Sequence, residues 1–324
     1  MFRRPMLWFE INPTTHCFFF NLFIMKVLSF AFMLILASQS WACDICSSAF
    51  EVIPNERKSS FGVYYSTIYR LGYPQVQLKH SGHLNLVGAE VKEIFNVYDV
   101  RYRHAFSDRV FGEIILPLRN NYQGLNRSKR FDRWGLGDIQ VLGTYRLIQP
   151  NSESRVNHRL DLTLGADMPS GSWTDSINQV IVDPVYQFGS GSFDFWLSAS
   201  YIGRIDKFGY SVNGMYRRNT NNALHFKFGD ALVGDVSMFF ILDFDAFKIM
   251  PRTGVFYEQG FASKYRGLED LHSGERMISS QHGLSFFYEQ FQFNALIRHV
   301  LHHKSRGVEV RQKYFGQFAL IYNF

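Results

Sequence analysis

Long apolar runs are almost missing from this sequence. Outside one stretch near the N-terminus, apolar residues are diluted by polar ones and the mean hydropathy is close to zero, which leaves no room for several membrane helices. Charge is also sparse. Only 19% of the 324 residues are Asp, Glu, Lys or Arg, and the excess of cations is too mild to argue for nucleic acid. Catalytic signatures are lacking too. There is no His-Glu-x-x-His, no Gly-x-Ser-x-Gly and no phosphate loop, so no residue is nominated for catalysis, no cofactor is expected and the reading is of a non-enzyme.

Cysteine is scarce, with three in the chain. Cys17 falls in a segment set apart below. Cys43 and Cys46 form a lone Cys-x-x-Cys. An internal disulfide in an oxidising compartment or a simple processing remnant is the expectation. Lipidation of Cys43 would want an aliphatic residue where Ser40 stands, and a closed zinc site needs four ligands where this motif offers two.

The single long apolar run, from Phe18 to Ala37, is interrupted by Lys26. From Met25 the chain reads as a positive start, an apolar core over 27–37, and small residues Ser40 and Ala42 before Cys43. That is the layout of a cleaved secretory signal peptide over 25–42, with 1–24 an extension from an upstream start. Removing 1–42 takes Arg3, Arg4, Lys26 and Glu10, leaving 34 − 3 = 31 cations against 28 − 1 = 27 anions. Residues 43–59 would then form a periplasmic N-terminal segment, and 60–324 the folded domain.

What is abundant is aromatic residue, at 17%, placed in alternation. In the closing stretch Phe318, Leu320, Tyr322 and Phe324 share one side of an extended strand, and Gln317, Ala319, Ile321 and Asn323 the other. A terminal Phe on such a strand resembles the closing strand of a bacterial outer-membrane β-barrel, where it serves as a signal to the barrel assembly machinery. Leu160, Leu162, Leu164, Ala166 and Met168 oppose Arg159, Asp161, Thr163, Gly165 and Asp167 in the same way. So do Phe193, Phe195, Leu197, Ala199 and Tyr201 against Asp194, Trp196, Ser198, Ser200 and Arg204.

About twelve strands (10–14) are expected from position 60 onward: 60–70, 92–105, 109–119, 137–149, 157–168, 191–204, 207–219, 230–243, 247–258, 277–289, 291–303 and 311–324. Their connections alternate. Those near 107–108, 150–156, 205–206, 244–246 and 290 are short. Those at 71–91, 120–136, 169–190, 220–229, 259–276 and 304–310 are mostly long and rich in Gly, Asn, Ser and charge. Membrane barrels have short periplasmic turns and longer exterior loops. The fold class expected is therefore all-β, a transmembrane antiparallel up-and-down barrel.

Gly135 to Asp138 leading into a strand, then Leu164-Gly-Ala-Asp-Met-Pro-Ser-Gly171, then Phe188-Gly-Ser-Gly-Ser-Phe-Asp-Phe195, resemble the outer-membrane transporter proteins of the MetA-pathway of phenol degradation family. They also resemble related uncharacterised barrels that begin with Cys-Asp-Ile-Cys. The resemblance covers roughly 135–245 and consists mostly of turn chemistry. It implies a barrel in the bacterial outer membrane, exported through a cleaved signal peptide, that passes or binds a small solute. The competing reading is a structural or adhesive barrel with a filled lumen.

By alternation Asp99, Arg101, Arg103, Glu113, Arg119, Arg146, Arg159, Asp161, Asp194, Arg217, Asp235, Lys248, Arg252 and Arg298 fall on the lumen face. An open pore would then favour anionic or polar solutes slightly. Arg127, Lys129, Arg130 and Arg133 cluster in the connection at 120–136, where they are candidates for contact with lipopolysaccharide phosphates. His299 and His303 share a strand face about 13 Å apart, with His302 pointing the other way, so one ion cannot bridge them there.

Overall fold

A computed structural model describes residues 59–73, 88–126, 128–151, 154–177, 180–181, 183–305 and 310–324. The signal-peptide reading, the N-terminal extension and Cys43 and Cys46 lie outside the described residues. The described chain is a closed antiparallel β-barrel. Its strands are β1 (Ser60–Gly72), β2 (Val91–Ala105), β3 (Val110–Leu125), β4 (Ser128–Leu136), β5 (Ile139–Ile148), β6 (Val156–Met168) and β7 (Asp194–Ile205). They continue with β8 (Phe208–Arg218), β9 (Ala231–Phe240), β10 (Phe247–Gly260), β11 (Glu275–Tyr288), β12 (Phe291–Ser305) and β13 (Val310–Asn323).

Each strand pairs with its sequence neighbour except that β4 and β5 both pair with β3, and β13 closes on β1. The backbone N–H of Phe324 adds a last bond to the Ser59 carbonyl (2.9 Å). Closure leaves no terminal strand with a free edge in this circuit, which is the condition for a strand wall in lipid. Two segments share one place in the wall. β4 lies along the upper part of β3 (118–125) and β5 along the lower part (110–115), so the circuit has twelve positions.

This arrangement corrects one expectation. Residues 120–136 are not an open loop: β3 runs on to Leu125 and the chain returns along it through β4. The stretch is polar because it rises as a hairpin past the apolar part of the wall. Most other connections keep the short-and-long alternation, giving a short-turn end and a long-loop end. The exception is 306–309, which at four residues is shorter than 149–155 at the opposite end.

Alternation sets the two surfaces. On β13 Phe318, Leu320, Tyr322 and Phe324 face outward and are exposed, while Ala319, Ile321 and Asn323 face inward and are buried. Leu164, Phe195, Leu197, Val212, Val236 and Phe293 likewise face outward. So continuous an apolar exterior is intolerable in water and suited to lipid.

Inside, the largest buried cluster joins Ile115, Leu142, Trp196, Met215, Val233, Phe256 and Met277, with Val300 against it. A second joins Ile68, Phe95 and Phe315, with Tyr186 and Leu296 against it. Most of these residues lie in the half of their strands nearer the long loops. Together they form an apolar belt to which nearly every strand contributes. Glycine makes room for it: a Cβ on Gly165 would stand 2.3 Å from the Trp196 ring.

Candidate functional site: the barrel lumen

The lumen is layered by charge above and below the belt. Toward the short turns, Arg101 is held by Asp99 (2.7 Å) and lies over the Tyr64 ring at 3.8 Å. Arg103 and Arg146 flank the Phe111 ring at 4.3 and 4.7 Å, with Glu113 opposite Arg103 in register. Asp161 receives both Arg146 (2.9 Å) and Arg159 (3.3 Å). Arg252 faces inward on β10, in register with Phe239. Cations outnumber carboxylates here.

At mid-height Arg298 packs between Phe256 (3.8 Å) and Phe315 (4.5 Å) and donates to Gln281 (3.3 Å). Asp235 accepts from Asn213 (2.7 Å) and Ser237 (3.0 Å). Toward the long loops the balance reverses. Asp167 (2.6 Å) and Asp194 (3.5 Å) share Arg217. Glu93 and Glu258 are buried nearby in the wall, and Glu275 takes Arg70 (3.4 Å) and His303 (3.0 Å). Charges this deeply buried are tolerable only because each has a partner or a ring face close by.

At the long-loop end the described part of the connection after β6 turns into the lumen, where Tyr186 packs against the buried Phe95 and Phe315 cluster. Its anchor is Asp138, at the break between β4 and β5. Oδ1 accepts the Gly171 N–H (2.9 Å) and Oδ2 the Ser190 N–H (2.6 Å). Gly189 has no room for a side chain, because a Cβ there would meet Asp138 Oδ1 and the Gly171 carbonyl at 2.6 Å. The three stretches that carry the family resemblance thus meet at one carboxylate.

From that anchor the chain carries Tyr186 onto the inner wall of β2 and β3. Its ring stacks on Phe95 (5.9 Å) and meets Phe131 edge-on (5.1 Å). Its hydroxyl donates to Glu93 and accepts from Gln123, and its carbonyl accepts from Asn121 (3.0 Å). Burial, and then the neighbouring Glu93 carboxylate, push the Tyr186 phenol well above its ordinary range, so it remains a donor.

The basic loop residues are dispersed. Arg133 is turned toward the inturned segment, bonded to Asp175 and 5.3 Å from the Phe188 ring. Arg130 donates to Gln123 (2.7 Å), and Lys129 pairs with Asp132 (3.3 Å). Arg127 is outside the described residues. Lys248 sits at the short-turn rim on Asp243 (2.8 Å) and is half exposed, because β10 has passed beyond the barrel wall there.

The histidines also differ from strict alternation. A bulge at Leu301 puts His299 and His302 on the outer face and His303 on the inner one. Among the described residues no group of three or more metal-ligating side chains comes together. Tyr186 had no signal in the sequence, since it sits in an irregular connection. Asp138 stood within a quoted motif, and only its role as anchor was hidden.

No protein-family model matches this chain, and no curated protein matches it. Among solved structures it is similar to the COG4313 outer membrane channel from Pseudomonas putida F1. The identity is 13%, over 85% of this chain and 100% of that one, with a TM-score of 0.59. It is similar more loosely to the β domain of the Bordetella autotransporter BrkA, at 8% identity over 83% and 100% with a TM-score of 0.42. The CymD monoaromatic hydrocarbon channel stands at 11% over 83% and 89%, with a TM-score of 0.39. At such identities likeness speaks to the fold alone, and the last two are too loose to argue from.

Proposed function

We propose that this protein is an outer-membrane channel for small solutes with an apolar body, closed at rest by the inturned connection 169–193. The observation that carries this is the plug itself. The inturned loop is held at both ends by Asp138 and along its length by Tyr186, Arg133 and Asn121. All are side-chain contacts, so the loop can leave while the backbone pairing of the wall stays intact. Behind it, Trp196, Met215, Phe256 and Met277 offer an apolar surface between two charged layers. A solute with an apolar body keeps its contacts across that belt, whereas a hydrated ion would lose its shell. The apolar exterior supports a bilayer setting, and the resemblance to outer-membrane transporter proteins supports the class and the orientation, with the long loops outside the cell.

A filled, structural barrel is the second reading, and the dense belt favours it. Flux into proteoliposomes separates the two. With Tyr186→Ala in the wall, small aromatic or aliphatic solutes should enter faster than with the native protein. A filled barrel predicts the same background flux for both and for empty liposomes.

A further inference from the structure

We propose that the outer face of β11, β12, β13, β1 and β2 at the long-loop end binds the phosphate groups of lipopolysaccharide. This rests on the reading above that places the long loops outside the cell. Two rows of residues carry it. On β10, β11 and β12, Tyr257, Ile278 and His302 stand in register, and Gln259, Arg276 and Lys304 form the next outward row toward the long loops. On β13, β1 and β2, Tyr314, Tyr69 and Ile94 stand in register, and Arg311, Leu71 and Lys92 form the next. Each basic row therefore lies one step beyond a row that contains tyrosine. Tyrosines mark the bilayer border in such barrels, so the cations stand at headgroup level.

These cations are not neutralised by the protein. Arg276, Lys304 and Arg311 are exposed, and Lys92 is half-buried with its ammonium 4.9 Å from the Tyr69 ring. Among the described residues none of the four is in an ion pair. Arg276 donates to the neutral Gln259 (2.7 Å). The neighbouring outward carboxylate, Glu90, accepts from the Tyr73 hydroxyl (3.1 Å). On the inner face at the same height Arg70 and His303 are both engaged by Glu275.

The opposite side of the barrel differs. There the outward residues are Met168, Phe195 and Leu232, with Tyr216 bonded to Asp230 (3.3 Å) and a single exposed cation, Arg218, in register with Phe195. Unpaired outward cations are thus denser on the β11–β2 side, where four stand in two rows, than on the far side, where Arg218 stands alone in its row. The four stand just above apolar wall on which the long stems can lie. Lys92 and Arg311 are two strands apart, about 10 Å at the usual strand spacing, which suits separate phosphates better than one shared ion. Arginine's fork and the lysine ammonium are both suited to such groups.

The test uses detergent-purified full-length protein, titrated with purified lipopolysaccharide and with the same material after enzymatic removal of its lipid A phosphates. Binding is read as a mobility shift on native gels. The native protein should bind the phosphorylated form at least tenfold more tightly, and added salt should weaken that binding. The combined variant Lys92→Gln, Arg276→Gln, Lys304→Gln, Arg311→Gln should lose the preference, and Lys129→Gln should keep it. Equal binding of both lipid forms by the native protein overturns the proposal, as does an undiminished preference in the folded combined variant. Should that variant fail to fold, the phosphate-removal and salt arms on the native protein decide. Cell fractionation tests the location separately, so a failure there is distinguishable from a failure of this site.

Discussion

The Asp138 carboxylate accepts the backbone N–H of Ser190, 52 residues further along the chain, at 2.6 Å. It accepts that of Gly171 with its other oxygen, so one side chain fixes both ends of the segment that carries Tyr186 into the lumen. Hydrogen bonds to a charged group contribute about 1.5–3 kcal/mol each. Asp138→Ala should therefore release the connection while leaving the strand wall formed. Hydrogen exchange in 169–193 should rise sharply with little change in β11–β13. Unchanged protection there would show that the anchor is elsewhere.

Crowding at the belt gives a second expectation. A Cβ on Gly165 would stand 2.3 Å from the Trp196 ring, whereas one on Gly143 would meet open space. Gly165→Ala should destabilise by about 1–3 kcal/mol, the usual cost of overpacking, and shift the tryptophan emission. Gly143→Ala should do neither. Thermal unfolding of the two variants side by side checks this.

Much of this lumen was legible in the alternation of residues, because a strand in lipid must show one face to hydrocarbon and one to the interior. Phe318, Leu320 and Tyr322 betrayed the outer face, and Trp196 fell among the polar residues of its strand on the inner face. The misreadings have local causes. Strict alternation puts His303 on the face of His299, and the bulge at Leu301 breaks that alternation. The hairpin at 120–136 reads as a loop in sequence because its residues are polar, although pairing and not apolarity makes a strand. Tyr186 was illegible, since nothing periodic marks an inturned connection.

At the short-turn end, Arg155 and Asp206 tie two adjacent turns through a forked contact. The hydrogen bond from Arg155 holds the Asp206 carboxyl below its ordinary range. Its contribution is therefore complete above the unfolded value of about 3.9 and is lost as pH falls through the lower folded value. Asp206→Asn should make the apparent melting temperature less sensitive to acidification below pH about 4. A variant whose acid response matches that of the native protein would contradict this.

Titration of Tyr186 has the opposite sign. Its folded phenol lies above the unfolded value of about 10, so its hydrogen bond to Glu93 persists at lower pH and is lost only as pH rises through that higher folded value. Difference absorbance between the native protein and Tyr186→Phe should show no phenolate from this residue below pH about 10. A phenolate appearing near neutrality would mean that the ring is not seated against Glu93.

The central claim is that the connection 169–193 is a removable plug in a conducting lumen. Single-channel recording in planar bilayers tests it most directly. The native protein should give rare, brief steps, and Tyr186→Ala and Asp138→Ala should open more often and for longer with the same unit conductance. If neither variant conducts while both run as folded, heat-modifiable barrels, the lumen is filled and the channel account is wrong.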